Sequence, residues 1–359
     1  RLSRAIGFDL LAQRFDVDVE LVSSLQTLSR QAQTPLYTVD RVRWRAMEGV
    51  YAEGLLLKPT GQPVAYVVAL PDADWTPEMI VGWTPPPRAP PPEFDGQNGR
   101  AGGWPYPIAE ALPAGAQFAR RLVESGCEVL VLSLLDRADA ESGNPLIRMT
   151  NQPHREFIYR MAFELGRHTI GYEVQKVLAA VDWFARRPTA APIAVAGYGE
   201  GGLLALYSAA LDRRIDAAFV SGYFGPREGL WQEPIYRNVF GLLREFGDAD
   251  LASLIAPRAL VVEACLGPEV EGPPTPRDGR SGAAPGRLTT PALADVTAEI
   301  DRARPWFDAL GTGRRLRLVV SGEGGLGLPG SEPALAALLG ALGHGDTLGP
   351  QGTPPGPRG

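Results

Sequence analysis

The feature that most constrains the fold is a series of short apolar runs separated by helix-like segments. Each run is continuously apolar, which is typical of a strand buried on both faces of a sheet. Six such runs span residues 64–70, 127–134, 192–197, 215–221, 259–264 and 315–321. Helices between strands bring successive strands back in parallel through right-handed crossovers. The sequence therefore predicts an α/β protein with six neighbouring parallel strands and helices on both faces of the sheet.

The segments before the first buried run predict two further elements. Residues 36–59 hold two strand-like runs around a turn at Glu48 and Gly49, which indicates an antiparallel hairpin and brings the sheet to about eight strands. Residues 1–35 carry apolar side chains at mixed helical spacing, so we expect a helical N-terminal extension. A similar pattern predicts one long helix from Glu156 to Phe184.

Two segments are too poor in regular pattern to join the core. Eight prolines fall between Thr84 and Pro107, and each proline removes a backbone donor, so residues 84–106 are expected to form a surface insertion without regular structure. The tail, residues 345–359, has the composition of a disordered segment. The predicted organisation is an extension (1–35), an α/β domain (36–344) and this tail.

Composition excludes several classes of function. The net charge is -6, which offers no cationic face for nucleic acid. No apolar run is long enough to cross a bilayer, and no targeting segment is visible, although a chain beginning at Arg1 leaves the compartment open. Cys127 and Cys265 fit neither a disulfide framework nor a zinc motif, and no cofactor motif is satisfied. Lys58 and Lys176 are the only lysines, a bias we attribute to a GC-rich coding sequence.

The glycine-rich segment IAVAGYGEGG (193–202) allows two interpretations. A dinucleotide-binding GxGxxG motif requires the first strand of its unit and an acidic residue at the end of the next strand. Both requirements fail here, because several sheet strands come earlier and the next strand ends at Ser221 and Gly222. A nucleophile elbow, GxSxG, requires small residues two positions before and after the nucleophile. Gly197 and Gly201 occupy those positions, so the elbow is the better interpretation.

With this elbow, the order of elements resembles the α/β-hydrolase fold, and it looks closest to the branch of dienelactone hydrolases and acetyl xylan esterases. The phrase LIAPRALVV (254–262) also resembles that branch, and the resemblance covers about residues 36–343. It implies an ester hydrolase with a nucleophile, a histidine and an acid. Gly199, however, stands at the nucleophile position and has no side chain to attack a carbonyl.

The other two members of the implied triad are incomplete as well. The loop that would carry the histidine, residues 321–333, has none, and His344 lies about one helix length too late. The acid has three candidates, Glu263, Glu269 and Glu271. We therefore expect the turn and its pocket to form without the side chains that catalysis requires. The N–H groups of Glu200 and of the loop at 72–74 are expected to face a cleft.

In open α/β sheets, ligands bind at the carboxyl ends of the strands. The residues expected at this rim are Asp72, Asp74, Asp136, Arg137, Tyr198, Gly199, Glu200, Tyr223 and Glu263. Grouped acids there could bind a cation, accept hydrogen bonds from a sugar or act as an acid/base pair.

Each of these residues also has a purely structural interpretation. Asp72 and Asp74 could cap the helix that begins near Pro77. Asp136 and Arg137 could form an ion pair, Glu200 could point away from the rim, and Tyr223 could pack in the core. His154 and His168, beside the long helix, fit structural positions better than catalytic ones. In the last half of that predicted helix, from Ile170 to Phe184, the apolar side chains fall on one stripe.

Three functions stay open at this point. The leading hypothesis is a degenerate α/β-hydrolase-like module that binds a small-molecule or carbohydrate ligand or serves as a scaffold. The second is an active ester hydrolase that uses displaced residues, Glu200 and Glu263. The third is a structural subunit of a homo-oligomer or larger assembly, with contacts from the proline-rich insertion and the N-terminal extension.

Overall fold

A computed structural model of the chain describes residues 1–7, 17–24, 28–84, 112–139, 150–276, 281–345, 348–352, 354 and 356. Within these ranges the strands are β1 (Val19–Leu21), β2 (Arg30–Gln33), β3 (Tyr37–Met47), β4 (Val50–Pro59), β5 (Tyr66–Leu70), β6 (Glu128–Leu132), β7 (Ile193–Tyr198), β8 (Ala217–Ser221), β9 (Ala259–Ala264), β10 (Val270–Gly272), β11 (Gly286–Leu288) and β12 (Leu316–Val320). The helices are α1 (Leu2–Ala5), α2 (Pro77–Val81), α3 (Phe118–Glu124), α4 (His154–Glu164), α5 (Thr169–Ala185), α6 (Glu200–Leu211), α7 (Asp248–Ile255), α8 (Leu293–Ala309) and α9 (Glu332–Ala341).

The main sheet confirms the predicted parallel arrangement. Its strands lie in the order β1-β3-β4-β6-β5-β7-β8-β9-β12, with β2 also paired to β3. All neighbours from β6 to β12 pair in parallel, so the six predicted runs form one continuous parallel region. Every residue of β5 to β9 is buried, because helices cover both faces. The short hairpin of β10 and β11 forms a separate sheet.

The predicted hairpin is confirmed as β3 and β4, which pair antiparallel. Gly49 adopts a φ of +72° at its turn, a conformation that glycine reaches without strain. β4 pairs antiparallel with β6, so the hairpin extends one side of the parallel region. Including β1 and β2, the main sheet has ten strands where about eight were predicted.

Two apolar cores lie on opposite faces of the sheet. One core includes side chains of α5, α6, α7 and α8, for example Val177, Leu204 and Ile300. The other includes side chains of α2, α3 and α9, for example Leu122 and Leu338. The prediction of helices on both faces is confirmed. Because the strands are parallel, their carboxyl ends and the loops that follow them lie at the same edge of the sheet.

The expected helical extension is wrong in the part of residues 1–35 that the structure describes. Helix is confined there to Leu2–Ala5, whereas Val19–Leu21 and Arg30–Gln33 are strands. Both strands pair antiparallel with β3, whose outer edge offers unpaired backbone groups. Pairing with an available edge has overridden the weak helical spacing of these residues.

The predicted long helix is two helices, α4 and α5. Gly166 interrupts them with a φ of +71°, which a helix cannot continue through. His168 then begins α5, and its Nδ1 accepts a hydrogen bond from the N–H of Ile170 at 3.1 Å. A side chain that accepts from the first turn stabilises a helix start, so the break has a local cause.

The described part of the tail does not match the expected disorder. Leu348 is buried in the core that contains α3, and the N–H groups of Gly349 and Gly352 donate to Ser125 and Glu124. These contacts hold the tail along α3. The proline-rich segment falls outside the described residues from 85 to 106, and its prediction stays untested. No helix in the described ranges has the length and apolar character needed to span a bilayer.

Candidate functional site

The turn from β7 into α6 has the tight geometry of a nucleophile elbow. Gly199 lies at its apex with φ +57° and ψ -118°. A β-carbon at Gly197 would lie 2.0 Å from the carbonyl oxygen of Gly201, and one at Gly201 would lie 2.1 Å from that of Leu70. Only glycine fits at these two flanking positions, since real β-carbons do not approach backbone oxygens that closely. The small residues identified in the sequence are therefore required by the turn.

The carboxylate of Asp72 occupies the space in front of this elbow. A β-carbon at Gly199 would lie 2.3 Å from Asp72 Oδ1, so this carboxylate stands where a nucleophile's side chain would begin. The N–H of Glu200 donates to Asp72 Oδ1 at 3.0 Å, and the N–H of Asp74 donates to Asp72 Oδ2 at 3.1 Å. These are the donors expected to face a cleft. They instead bind a carboxylate of the same chain.

Arg137 fixes that carboxylate in place. Its guanidinium donates to both oxygens of Asp72, at 2.5 and 3.0 Å, and also to Asp74 at 2.9 Å. Asp72 and Arg137 are almost fully buried. Burial alone would raise the pKa of Asp72, but the charge and hydrogen bonds of Arg137 outweigh it, and the pKa is lowered. Asp72 is thus an ionised, internally bound group.

Asp74 is held more weakly by the same guanidinium. Burial raises the pKa of Asp74 to about 6, against the opposing attraction of Arg137 and with a further contribution from Asp72. The predicted capping role is wrong for both aspartates, because Thr76 occupies the N-cap position of α2 and both carboxylates bind Arg137. Their proximity at the end of β5 is what the sequence indicated.

Glu200 points into the network and carries no exposed surface. One carboxylate oxygen accepts from Arg137 at 3.1 Å and from Arg237 at 2.6 Å, and the other lies 3.5 Å from Arg155. Burial opposes its ionisation, but the three guanidinium groups together lower the pKa of Glu200 to about 2. The expectation that Glu200 could point away from the rim is wrong.

Arg155, Arg237 and Tyr236 belong to this network, although the sequence did not single them out. Arg155 also forms a two-bond pair with Glu173 at 2.7 and 2.6 Å, and the Tyr236 hydroxyl accepts from Arg137. The sequence signal that could have indicated this network was the near absence of lysine among the basic residues. Arginine keeps its charge when buried and offers several fixed donors, so an arginine-rich composition can support a buried ion-pair network.

Glu263 lies at the end of β9 and organises the loop in which a catalytic histidine was sought. It accepts from the Ser221 hydroxyl at 2.6 Å, from the N–H of Gly330 at 2.7 Å and from the N–H of Ser331 at 2.9 Å. Burial raises the pKa of Glu263, although these hydrogen bonds oppose the shift. Through these hydrogen bonds, Glu263 links β9 to β8 and to the start of α9.

The remaining rim residues have contacts of several kinds. Asp136 accepts from the N–H of Ala138, and its Oδ1 lies 3.7 Å from His154 Nδ1. Tyr198 stacks on Trp75 with ring centroids 4.6 Å apart. Tyr223 packs under the guanidinium groups of Arg227 and Arg237, which agrees with its predicted packing role. Arg137 binds Asp72, Asp74 and Glu200, a larger set of partners than the single ion pair expected from the sequence.

The three histidines of the chain all lie in described positions away from the elbow apex. His168 caps α5, and burial lowers its pKa to about 4. His344 Nε2 lies 2.6 Å from the carbonyl oxygen of Val64, just before β5 begins. That is the opposite end of β5 from Asp72, and the five residues of the strand alone span about 16 Å. His344 therefore cannot serve the elbow.

The candidate acids Glu269 and Glu271 lie outside the network as well. Glu269 accepts a long hydrogen bond from Thr290, and Glu271 is mostly exposed beside Arg287. In the described residues, no group of three or more histidine, cysteine or acidic side chains is arranged to bind a metal ion. Three of the acids at the rim, Asp72, Asp74 and Glu200, are bound by arginine.

No family model and no curated protein matches the sequence. Solved structures do match in fold. A candidate acetyl xylan esterase from Bacteroides fragilis NCTC 9343 aligns with a TM-score of 0.59 and 15% identity, over 89% of this chain and 72% of that chain. A CE15 glucuronoyl esterase from Teredinibacter turnerae T7901 aligns with a TM-score of 0.50 and 14% identity, over 91% and 77% of the two chains. The chain has the α/β-hydrolase fold of these esterases, as the resemblance implied.

Proposed function

We propose that this protein is a non-catalytic module with an α/β-hydrolase fold of esterase ancestry, and that it acts as a scaffold. The observation that carries this proposal is the Asp72 carboxylate in front of Gly199, bound by the N–H of Glu200 and by Arg137. An acyl hydrolase needs a nucleophile at this apex and free donors for the developing oxyanion. Here glycine stands at the apex and a carboxylate of the same chain uses the donors.

The displaced-residue hydrolase is supported less well. A general base works best when its pKa lies near the working pH, whereas three guanidinium groups lower the pKa of Glu200 to about 2. Glu263 is buried and accepts three hydrogen bonds from its own fold. Neither carboxylate is placed to exchange protons with a substrate.

A ligand-binding role is the closer alternative. It requires polar groups that are free to contact a small molecule or carbohydrate. Asp72, Arg137 and Glu200 are buried and bind one another, which favours a structural use of the rim. We therefore assign the rim to the stability of the scaffold and expect the binding surface of the protein to lie elsewhere.

A panel of acyl esters, combined with a serine-directed phosphonate probe, tests the proposal. We expect no enzyme-like turnover and no labelling. Turnover without labelling, abolished by Glu200→Gln and by Glu263→Gln but not by Glu164→Gln on the surface of α4, would establish the displaced-residue hydrolase instead. A thermal-shift screen with carbohydrates and small carboxylic acids addresses the ligand-binding role, and saturable stabilisation by one of them would overturn the scaffold assignment.

A further inference from the structure

Within the described ranges, β12 is an edge strand whose outer side pairs with no other strand. Among the described residues its strand partner is β9. Arg317 and Val320 are exposed and Leu318 and Val319 are partly exposed, whereas β5 to β9 are completely buried. An edge strand presents unpaired N–H and C=O groups to any chain that can add to it.

The outward-facing backbone groups of β12 can be identified. The N–H of Ser321 donates to the carbonyl of Ala264 on β9. Backbone direction alternates along a strand, so the N–H and C=O groups of residues 317, 319 and 321 face β9. Those of Leu316, Leu318 and Val320 face away. The N–H of Leu316 already donates to Gly313, which leaves its carbonyl and both groups of Leu318 and Val320.

We propose that this edge pairs antiparallel with β12 of a second copy of the chain, around a two-fold axis at Leu318. In this register Leu318 faces Leu318 of the other copy and Leu316 faces Val320. The outward-facing groups then form about four main-chain hydrogen bonds. The pairing is self-complementary, as an interface between identical copies must be. This inference concerns assembly and does not depend on the absence of catalysis.

The charges flanking β12 are complementary in this arrangement. Arg314 and Arg315 precede the strand, and Glu323 follows it, all with exposed side chains. Antiparallel pairing places the basic end of each copy beside the acidic end of the other. Opposite charges across an interface favour the correct register and disfavour shifted ones. A register centred one residue earlier would instead place Arg317 of one copy directly opposite Arg317 of the other, whereas here Arg317 faces Val319.

β12 itself offers apolar surface for the same contact. Leu318 is partly exposed, and Val320 at the end of the strand is 45% exposed. Leu316, Leu318 and Val320 lie on one face of the sheet, because side chains alternate between the two faces along a strand. A two-fold axis perpendicular to the sheet keeps this face on the same side in both copies, so these side chains can be buried together. Apolar burial adds to what short backbone pairing provides.

Cysteine cross-linking tests the register directly. In a hydrogen-bonded antiparallel pair, facing Cα atoms lie about 5.5 Å apart, within disulfide range. Leu318→Cys is expected to give a disulfide-linked dimer under mild oxidation of the full chain. Val320→Cys is the matched control, because the two copies of residue 320 would lie about 13 Å apart. The native Cys127 and Cys265 are buried. Equal cross-linking of both variants, or of neither, would overturn the proposed register.

A charge exchange tests the pairing with exposed residues, whose substitution leaves the core unchanged. In sedimentation equilibrium, we expect Arg314→Glu and Glu323→Arg each to weaken dimerisation by about tenfold, and the double variant to recover most of it. Arg287→Glu, on the β10–β11 hairpin, is the control and should leave dimerisation unchanged. A monomer at every concentration, or a dimer insensitive to both reversals, would refute the proposal.

Discussion

At the scale of single residues, the central feature is the pairing of a glycine at the turn after β7 with a bound carboxylate in front of it. Gly199 leaves space at the elbow, and Asp72 fills it with a carboxylate that has four N–H donors within 2.5 to 3.1 Å. A buried carboxylate is stable when its oxygens are fully hydrogen-bonded and its charge is paired. Gly199 and Asp72 are sterically linked, because a side chain at residue 199 would collide with Asp72.

The first prediction is a coupling between these two positions. Gly199→Ala should lower the free energy of unfolding by about 3 kcal/mol, since the new β-carbon would crowd Asp72 and the backbone would be strained. In an Asp72→Ser background the same change should cost about 1 to 2 kcal/mol less. Urea denaturation of the four proteins measures this coupling. Gly311→Ala, with a φ of +68° and open space around it, reports conformational strain alone. Additive effects at residues 199 and 72 would contradict the prediction.

The second prediction concerns catalysis at the elbow. Gly199→Ser alone should restore little ester turnover, because no histidine lies in the loop at 321–333 to take the serine proton. A histidine added in that loop together with the serine should do better than either change alone, since triad members act as a unit. Turnover numbers with an activated acyl ester decide the question. Strong activity of the serine variant alone would show that another base is available.

The third prediction is a pH dependence set by Glu200. Its pKa in the folded protein, about 2, lies below its ordinary value of 4.5, so its stabilising contribution is present above pH 4.5 and is lost as the pH falls toward 2. The loss should amount to about 3 kcal/mol, because one pKa unit corresponds to about 1.4 kcal/mol. Denaturation curves between pH 2 and 6 should therefore slope less for Glu200→Gln than for the unchanged protein.

Glu164→Gln serves as the control for this slope, because Glu164 is exposed at the end of α4. Its stability should follow that of the unchanged protein across the same pH range. Parallel curves for all three proteins would show that Glu200 is not preferentially ionised in the fold. Lower stability of Glu200→Gln at neutral pH is expected in addition, since three arginines then lose a shared partner.

At the scale of elements, a side chain from β9 holds the end of the loop between β12 and α9. Glu263 accepts the N–H groups of Gly330 and Ser331 and the hydroxyl of Ser221. The loop that carries a histidine in the resembled family is here attached to the sheet by a carboxylate. In this chain the described contacts of Glu263 give the loop a structural link to β8 and β9.

The fourth prediction tests this attachment. Glu263→Gln should destabilise the protein by about 2 kcal/mol, because an amide nitrogen cannot accept a hydrogen bond from a backbone N–H. The amide hydrogens of Gly330 and Ser331 should also exchange faster, which hydrogen-exchange NMR or mass spectrometry can follow. Glu332→Gln is the control, because Glu332 directly follows Ser331 and its side chain is mostly exposed. This variant should change neither property. Unchanged exchange in the Glu263 variant would contradict the assigned role.

At the scale of the whole molecule, the carboxyl ends of the parallel strands meet in a buried network of arginines and acids. Loops after β5, β6, β7 and β8 each contribute at least one member, among them Asp72, Arg137, Glu200 and Arg237. Such a network brings distant parts of the chain into one arrangement. Breaking one member leaves its partners buried without compensation, which is costly.

The fifth prediction concerns the proline-rich insertion, which lies outside the described residues from 85 to 106. Its proline density predicts no regular element there, so limited proteolysis should cut within residues 84–106 before any core strand is cleaved. Mass spectrometry of early fragments identifies the first cut. Protection equal to that of the core strands would show that the insertion is packed.

The sequence by itself determined the sheet and the elbow. Continuous apolar runs require burial on both faces, and helices between them require parallel order, so β5 to β9 and β12 were predictable. Gly197 and Gly201 indicated the tight turn because only glycine fits it. Gly199, which lies between them and has no reactive side chain, is the basis of our proposal that the protein is not catalytic.

Only the tertiary structure decided how the charged residues are paired. The sequence placed Asp72 and Arg137 at one rim of the sheet, but it did not indicate that they bind each other or that Arg237 joins them through Glu200. The short strands at Val19–Leu21 and Arg30–Gln33 were missed for the same reason, since the edge of β3 decides their conformation. Local patterns are set by neighbours in sequence, whereas ion pairs and edge pairing depend on which groups the completed sheet brings within a few ångströms.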